Sequence, residues 1–227
     1  MEFEPESLSH AARYNLLIGA IVPRPIAVVG TMNSQGQHNL APFSFFNAAS
    51  SDPMGLLFCP ANRADGGEKD SLRNAKPLAE GGTGCFSISV ATESTICQVV
   101  ACAEELPHGE SEFDLAHLTP GACTRIRAPF LRESPIHFEC ETISVTRFAL
   151  DKPHAGNIVM GRVVHVRVDD ALANERMSID PAKLAAVGRL GGRHYTLTRE
   201  RIDIPMGRAA LTSSVSLLSR CDERTQP

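Results

Sequence analysis

Segments with the residue pattern of β-strands are the feature of this sequence that most constrains its fold. The longest are residues 136–148 and 157–168, and in the second Val164 and Val166 alternate with His165. Shorter strands are predicted at residues 25–32, 39–50, 54–60 and 85–91. Turn signals separate these strands without the regular strand–helix alternation of a doubly wound sheet. The pattern predicts a mainly β protein, a closed or partly open antiparallel barrel.

Short helices are predicted at the sides of this barrel. They span residues 7–18, 72–76, 92–103 and 180–188. Ser7 or Ser9 is expected to cap the first helix, and Asp70 or Ser71 the second, because short hydroxyl and carboxylate side chains accept from the free N–H groups there. Short helices at the sides of the strands fit an antiparallel barrel better than a doubly wound sheet.

Length and composition fit one domain. The chain has 227 residues, so we expect a single domain over residues 1–206 and a mobile C-terminal tail over 207–227, which is rich in Ser and charge. A net charge of −4 argues against a nucleic-acid or anionic-membrane partner. The longest apolar run, residues 16–22, is too short to span a bilayer. We therefore expect a cytoplasmic protein.

The seven cysteines suggest neither a disulfide framework nor a metal centre. Their number is odd and no C-x-x-C pair occurs, so reduced and mostly buried thiols are expected. The closest pair, Cys97 and Cys102, has no matching second pair of ligands. No metal site is predicted from these spacings.

Residues 39–50 mix aromatic and neutral polar side chains. These are Asn39, Phe43, Ser44, Phe45, Phe46, Asn47 and Ser50. A planar heterocycle with carbonyls and ring nitrogens requires this mixture, because flat apolar surface gives affinity and a few hydrogen bonds fix orientation. The alternative is an ordinary barrel strand with its Ser and Asn residues on the solvent face.

A cationic segment follows closely along the chain. Arg63, Lys69 and Arg73 lie around Asp70 and Ser71, which open a predicted helix. Cations and hydroxyls at such a place are typical of a phosphate site, although a solvated charged loop has the same composition. Taken with residues 39–50, the segment predicts a nucleotide-like cofactor with one phosphate.

The chain as a whole resembles a known family over roughly residues 10–200. The resemblance is carried by Pro23-Arg24-Pro25-Ile26-Ala27, Gly36, Asn39 to Phe46, Asp52-Pro53, Lys69-Asp70-Ser71, Asn74, Ser111-Glu112-Phe113, Leu118-Thr119-Pro120, Phe138-Glu139-Cys140 and Gly188 to Tyr195. Together these segments resemble the flavin reductase-like family of FMN-binding split β-barrel proteins. That family includes reductase components of two-component monooxygenases.

The resemblance implies a Greek-key antiparallel split β-barrel with flanking short helices, a homodimer, and FMN near the subunit interface. It implies that the flavin ring lies along residues 44–50, largely on backbone groups, and that the segment 63–74 holds the phosphate. The implied cofactor-binding residues are Asn39, Ala41, Pro42, Ser44, Phe45, Phe46, Asn47, Ala48, Ala49, Ser50, Arg63, Lys69, Asp70, Ser71 and Asn74. His194 and Tyr195 are expected at the substrate rim, reaching toward the partner's site.

Some positions depart from the family pattern. Met54 stands where a second proline is common, Ser71 replaces a threonine, and His117 stands where glycine is usual. Residues 64–67 add a glycine-containing loop near the expected phosphate site. We also consider His117 and His137 as candidates for the substrate face, although a single histidine on a strand is more often an ordinary core or surface residue.

The function that the resemblance implies is an FMN-dependent oxidoreductase. It would take hydride from NADH or NADPH and pass electrons onward, with a separate monooxygenase component as one acceptor. Because the flavin carries the chemistry, no catalytic side chain is required. Two alternatives remain: an FMN-dependent oxygenase acting directly on a small organic substrate, and a non-catalytic flavin-binding protein.

Overall fold

The computed structural model describes residues 1–107, 109–212 and 216–218. The larger strands are β1 (Ala27–Met32), β2 (His38–Phe43), β3 (Phe46–Ser51), β4 (Met54–Phe58), β5 (Cys85–Val90), β8 (Ile136–Arg147) and β9 (Asn157–Val168), and the short ones are β6 (Pro120–Ala122), β7 (Pro129–Leu131), β10 (Val187–Arg189), β11 (Tyr195–Leu197), β12 (Arg201–Asp203) and β13 (Ser216–Leu218). The α-helices are α1 (His10–Ala20), α2 (Asp70–Ala75), α3 (Ile96–Ala101), α4 (Glu112–Leu115) and α5 (Pro181–Leu184). Short 3-10 helices span Pro5–Ser7, Leu78–Glu80 and Gly207–Thr212.

One antiparallel sheet of seven strands forms the body of the protein, in the order β2-β1-β5-β8-β9-β4-β3. Its two edge strands, β2 and β3, are consecutive in the chain and are joined only through Ser44 and Phe45. The sheet must therefore curl until its edges meet at that corner, which makes it a barrel open along one seam. The prediction of a mainly β antiparallel barrel with short flanking helices is confirmed.

Two hydrophobic clusters stabilise the barrel. Its interior is filled from all the long strands, with Phe58 and Phe86 in edge-to-face contact at 5.0 Å between ring centroids. Helix α2 closes one end, where its Leu72 is fully buried in the same cluster. The second cluster lies outside β1, beneath α3, α4 and β7, and includes Val28 and Leu131. The helices therefore cover one side of the barrel, and burial of these apolar side chains supplies most of its stability.

Several local predictions differ from the structure. The strand predicted at 39–50 is two strands, because the chain bends at Ser44. Helix α2 begins one residue after Lys69 without a side-chain cap, so the predicted capping by Asp70 or Ser71 is wrong: Asp70 pairs with Arg73 instead. Capping of α1 by Ser9 is confirmed, since its Oγ accepts from the Ala12 N–H at 3.2 Å.

The predicted tail contains regular structure where it is described. Residues 207–212 form a 3-10 helix, and β13 pairs with β12. A domain boundary at residue 206 stays a prediction. The tail was expected to be mobile, and residues 213–215 and 219–227 of it lie outside the described residues. Among the helices of the described residues, none is long and apolar enough to cross a membrane.

Substitution of Gly30 in β1 tests how closely β7 packs on the barrel. A Cβ there would lie 2.1 Å from the Pro129 carbonyl oxygen, which belongs to the β7 backbone and cannot rotate away. We expect Gly30→Ala to lower the free energy of unfolding by about 2–3 kcal/mol. Gly19→Ala in α1 is the matched control, because nothing lies within 4 Å of its Cβ. Urea unfolding should show the control unchanged or up to about 1 kcal/mol more stable.

Candidate functional site

A cleft between β2, the start of α2 and the chain before α4 brings the two predicted segments together. Its volume is about 110 Å³. Predicted site residues on its wall are Asn39, Ala41, Pro42, Arg63, Lys69, Asp70 and Ser71. The opposite wall was not foreseen and consists of Cys102, Ala103, Glu104, Glu105, Leu106 and Glu112. The polar strand and the cationic segment thus meet in one place.

Two cations at the cleft are only loosely engaged. Lys69 Nζ lies 3.6 Å from Glu105 Oε1, and Arg63 Nε lies 3.7 Å from Asp65 Oδ2. Both distances exceed hydrogen-bond length, and both side chains are about two-fifths exposed, so each pair contributes little to stability. An anion that binds in the cleft can therefore pair with both cations, and little free energy is lost when their present ion pairs break.

The floor of the cleft is polar and buried. Asn39 Nδ2 donates to Ser71 Oγ at 3.2 Å, and the Leu40 N–H donates to Glu112 Oε2 at 2.8 Å. Burial raises the pKa of the Glu112 carboxyl above its ordinary value, although the hydrogen bond from Leu40 opposes part of that rise. Asn74 is buried one turn further on and donates to Thr31 Oγ1 at 3.1 Å, so its amide supports α2 and is not part of the cleft wall.

A network of ion pairs fixes Glu68, the residue before Lys69 in the cationic segment. Lys76 Nζ donates to Glu68 Oε2 at 2.6 Å, and Arg147 Nη2 donates to Glu68 Oε1 at 3.2 Å and to Glu80 Oε2 at 2.6 Å. Burial by itself would raise the pKa of Glu68, but the bonds from Lys76 and Arg147 outweigh it and hold that pKa below its ordinary value. The network anchors the residue preceding Lys69 to the barrel.

Glu68→Gln tests this network through its pH dependence. Because the folded-state pKa of Glu68 is depressed, its contribution is complete above the ordinary glutamate pKa of about 4.3 and is lost as the pH falls through the folded value. We expect the variant to be about 1–2 kcal/mol less stable at pH 7 and the difference to vanish in acid. Glu141→Gln is the control: its 2.8 Å pair with Arg162 is half exposed, so its loss should cost less than about 0.5 kcal/mol.

Arg24 fixes the corner between β2 and β3. Its guanidinium donates to Ser44 Oγ at 3.2 Å and to the carbonyls of Ile18 and Ile21, both at 2.7 Å, and of Leu190 at 3.0 Å. The residue is 4% exposed, which makes these four bonds a buried junction of α1, the corner and the β10–β11 hairpin. Sequence analysis did not assign Arg24 a role, although its position between two prolines in the family-like segment was a signal.

Strand β3 presents the remaining predicted residues to solvent. Residues 47–51 are exposed, Phe46 is half buried and Phe45 is exposed beside the Arg24 guanidinium. Among the described residues β3 pairs on one side only, with β4, so its other backbone edge is open. The predicted ring-binding residues Ser44, Phe45, Phe46, Asn47, Ala48, Ala49 and Ser50 therefore form an open platform outside the cleft.

The histidine candidates lie in different places. His194 is exposed in the hairpin between β10 and β11, and Tyr195 packs partly buried against Arg189. Backbone hydrogen bonds between Arg189 and Arg24, at 2.8 and 2.9 Å, tie this hairpin to the Ser44 corner. His117 is exposed in the left-handed region with φ 51°, the backbone conformation that glycine favours. His137 is buried elsewhere, beneath Phe130, and does not face the cleft.

Comparison with known proteins identifies the family. The sequence profile of the flavin reductase like domain matches residues 19–185. The chain belongs to the flavin reductase-like family. Its curated relatives include a protein of Halalkalibacterium halodurans, 36% identical over 196 residues and covering 86% of this chain and 91% of the relative, and YwrF of Bacillus subtilis, 35% identical over 204 residues and covering 89% and 97%. Both of these relatives are uncharacterized.

Solved structures show the same architecture. Nitrilotriacetate monooxygenase component B from Bacillus cereus superposes with a TM-score of 0.82 at 30% identity, covering 90% of this chain and 98% of that one. The 2-nitrobenzoate 2-nitroreductase of Pseudomonas fluorescens superposes with a TM-score of 0.79 at 25% identity, covering 92% and 97%. The flavin reductase-like protein described here is thus a split β-barrel of a flavin-binding fold family, and the oxidoreductase class is the one its family supports.

Proposed function

We propose that this flavin reductase-like protein binds FMN and acts as an NAD(P)H-dependent flavin reductase. The observation that carries the proposal is the cleft of Asn39, Ser71, Arg63 and Lys69 beside the open platform of residues 44–50. The cleft offers cations and neutral donors to a phosphate, and the platform offers aromatic surface and unpaired backbone to a planar ring.

The size of the cleft limits how FMN fits. About 110 Å³ is well below the roughly 300 Å³ at which pockets for drug-sized ligands begin, so the cleft has room for the phosphate and part of the ribityl chain. The ring then lies outside, along residues 44–50. Exposed apolar side chains on α1 and directly after it, among them Leu16, Leu17 and Ile21, support a homodimer as the cover for such a ring.

The acidic residues of the cleft are compatible with a phosphate. Asp70 already pairs with Arg73, and Glu112 already accepts a hydrogen bond from the Leu40 N–H. Glu104 and Glu105 are the competitors: both are exposed, and the 3.6 Å contact of Glu105 with Lys69 is weak enough for a doubly charged phosphate to displace it. The residues present therefore fit FMN.

The side chains and backbone groups of the protein bind and orient FMN, and no side chain is required to transfer a proton. When bound, FMN supplies a two-electron acceptor for hydride from NADH or NADPH and returns those electrons to a later acceptor. Lys69 and Arg63 hold the phosphate, Ser71 and Asn39 add neutral bonds, and Arg24 sets the angle of the platform through Ser44.

Two acceptors are compatible with this site. A separate monooxygenase component is supported by the likeness to nitrilotriacetate monooxygenase component B of Bacillus cereus. Direct reduction of a small organic substrate is supported by the likeness to the 2-nitrobenzoate 2-nitroreductase of Pseudomonas fluorescens. The test is NADH or NADPH oxidation with catalytic protein and excess free FMN. Oxidation that rises with added FMN supports the reductase, whereas oxidation that needs an organic substrate and not free FMN supports the second function. No nicotinamide oxidation under either condition would contradict both.

A further inference from the structure

A buried cluster of two histidines and a glutamate lies on the outer face of the barrel, apart from the flavin cleft. His137 and Glu139 are two residues apart on β8, so their side chains share a face. His165 on β9 is the cross-strand partner of Glu139. One ligand atom from each of the three residues lies within 4.8 Å of the other two. The side chains of His137 and Glu139 are 3% and 0% exposed, and that of His165 is 34% exposed, which leaves a path to solvent.

Two nitrogens of this cluster lack hydrogen-bond partners. His137 Nδ1 and His165 Nδ1 are both buried and make no hydrogen bond within the described part of the chain. His165 Nδ1 lies only 3.0 Å from Glu139 Oε1, yet the contact does not have hydrogen-bond geometry. Buried polar atoms are rarely left unpaired, so this pattern requires an explanation.

Coordination of an ion by His165 Nδ1 explains why that nitrogen is unpaired, and in this arrangement His137 contributes its other ring nitrogen, Nε2. Two ligand atoms that each lie about 2.1 Å from a tetrahedral ion are about 3.4 Å from one another, and their lone pairs converge on the ion. The observed separations from Glu139 Oε1, 3.0 Å to His165 Nδ1 and 3.9 Å to His137 Nε2, bracket that value. Small side-chain rotations would bring all three atoms to one centre.

The carboxylate is already ionised and oriented. Its Oε1 accepts from the Thr124 N–H at 2.8 Å, and its Oε2 accepts from the Arg125 N–H at 2.6 Å. Although burial favours the neutral acid, these bonds and the two histidines hold the pKa of Glu139 below its ordinary value. Burial lowers the pKa of His137 to about 4, so its imidazole is neutral at physiological pH, the form that binds metals.

We propose that His137, Glu139 and His165 form a binding site for a divalent transition-metal ion of the zinc class. Two imidazoles and one carboxylate suit that class, and the exposed edge of His165 leaves a fourth position for water. The site lies under the segment 124–131, whose Phe130 ring stacks on His137 at 3.7 Å between centroids. The bound ion would therefore link β8 to β9 beneath this outer segment.

The test uses the full chain, freed of metal by a chelator and titrated separately with Zn²⁺ and Co²⁺. We expect one equivalent of Co²⁺ to produce the visible bands of a tetrahedral N/O site, and Zn²⁺ to raise the Tm. His165→Ala should weaken binding of both ions at least tenfold and abolish the Tm shift. His165→Gln provides a second variant that retains a polar side chain, and far-UV circular dichroism confirms that both are folded.

His10→Ala is the matched control, because His10 is an exposed histidine on α1, outside the cluster. It should bind both ions as the unaltered chain does. The proposal is overturned if the unaltered chain binds neither ion, or if the folded His165 variants bind as tightly as the control. A strong thiolate-to-cobalt charge-transfer band would also overturn it, because the cysteines would then be the ligands. None of these results depends on FMN.

Discussion

Lys69→Ala should weaken FMN binding by about 10- to 100-fold. A charge-assisted bond to phosphate contributes about 1.5–3 kcal/mol, and Lys69 has only a distant, exposed pair with Glu105 to lose in forming one. Arg63→Ala should act in the same direction. The measurement is fluorescence quenching of FMN on titration with each purified variant, at low and at moderate salt, since the electrostatic part of the binding is screened by ions.

Lys152→Ala is the control for Lys69→Ala, because Lys152 is an exposed lysine that does not line the cleft. Its affinity for FMN should equal that of the unaltered chain. If Lys69→Ala bound FMN with the affinity of the unaltered chain, the FMN phosphate would not be bound in this cleft. Equal weakening in Lys152→Ala would indicate that general surface charge, and not the cleft, sets the affinity.

Arg24→Ala should lower the free energy of unfolding by about 3–5 kcal/mol. The substitution removes four hydrogen bonds at once and leaves the carbonyls of Ile18, Ile21 and Leu190 without their buried donor. The Ser44 corner loses its anchor as well, so FMN binding should weaken in whatever protein remains folded. Denaturant unfolding measures the first effect and FMN titration the second.

Arg24→Lys separates charge from geometry. A lysine keeps the positive charge but offers three donors from one atom, which cannot reach four acceptors spread over α1, the corner and the hairpin. We expect it to recover less than half of the lost stability. If Arg24→Lys were as stable as the unaltered chain, the planar arrangement of donors in the guanidinium would not explain how Arg24 stabilises the fold.

The strand pattern and the cationic segment could be predicted from the sequence because their causes are local. Alternation within 136–148 and 157–168 reflects the two faces of a strand, and Lys69 and Ser71 are near neighbours in the chain. The bend at Ser44 could not be predicted, because it depends on a hydrogen bond from Arg24, twenty positions away. A continuous strand at 39–50 has the same local pattern as the two strands that form.

Long-range contacts also account for the parts of the site that sequence analysis missed. Glu112 reaches the cleft through the backbone of Leu40, 72 residues earlier in the chain. Glu139 and His165 become neighbours only through the register of β8 and β9, which contains a bulge next to Glu139. The expectation of no metal site was drawn from cysteine spacing, and spacing carries no information about a cross-strand pair whose register is unknown. That expectation and the proposed zinc-class site are now opposing predictions.

An absorbance spectrum followed by anaerobic reduction tests the central claim most directly. The protein is purified, incubated with FMN, freed of unbound cofactor, and then treated with NADH or NADPH without oxygen. We expect a flavin spectrum near one equivalent per chain that bleaches with at least one of the two donors. A colourless protein that does not retain FMN, or a bound flavin that neither donor reduces, would contradict it.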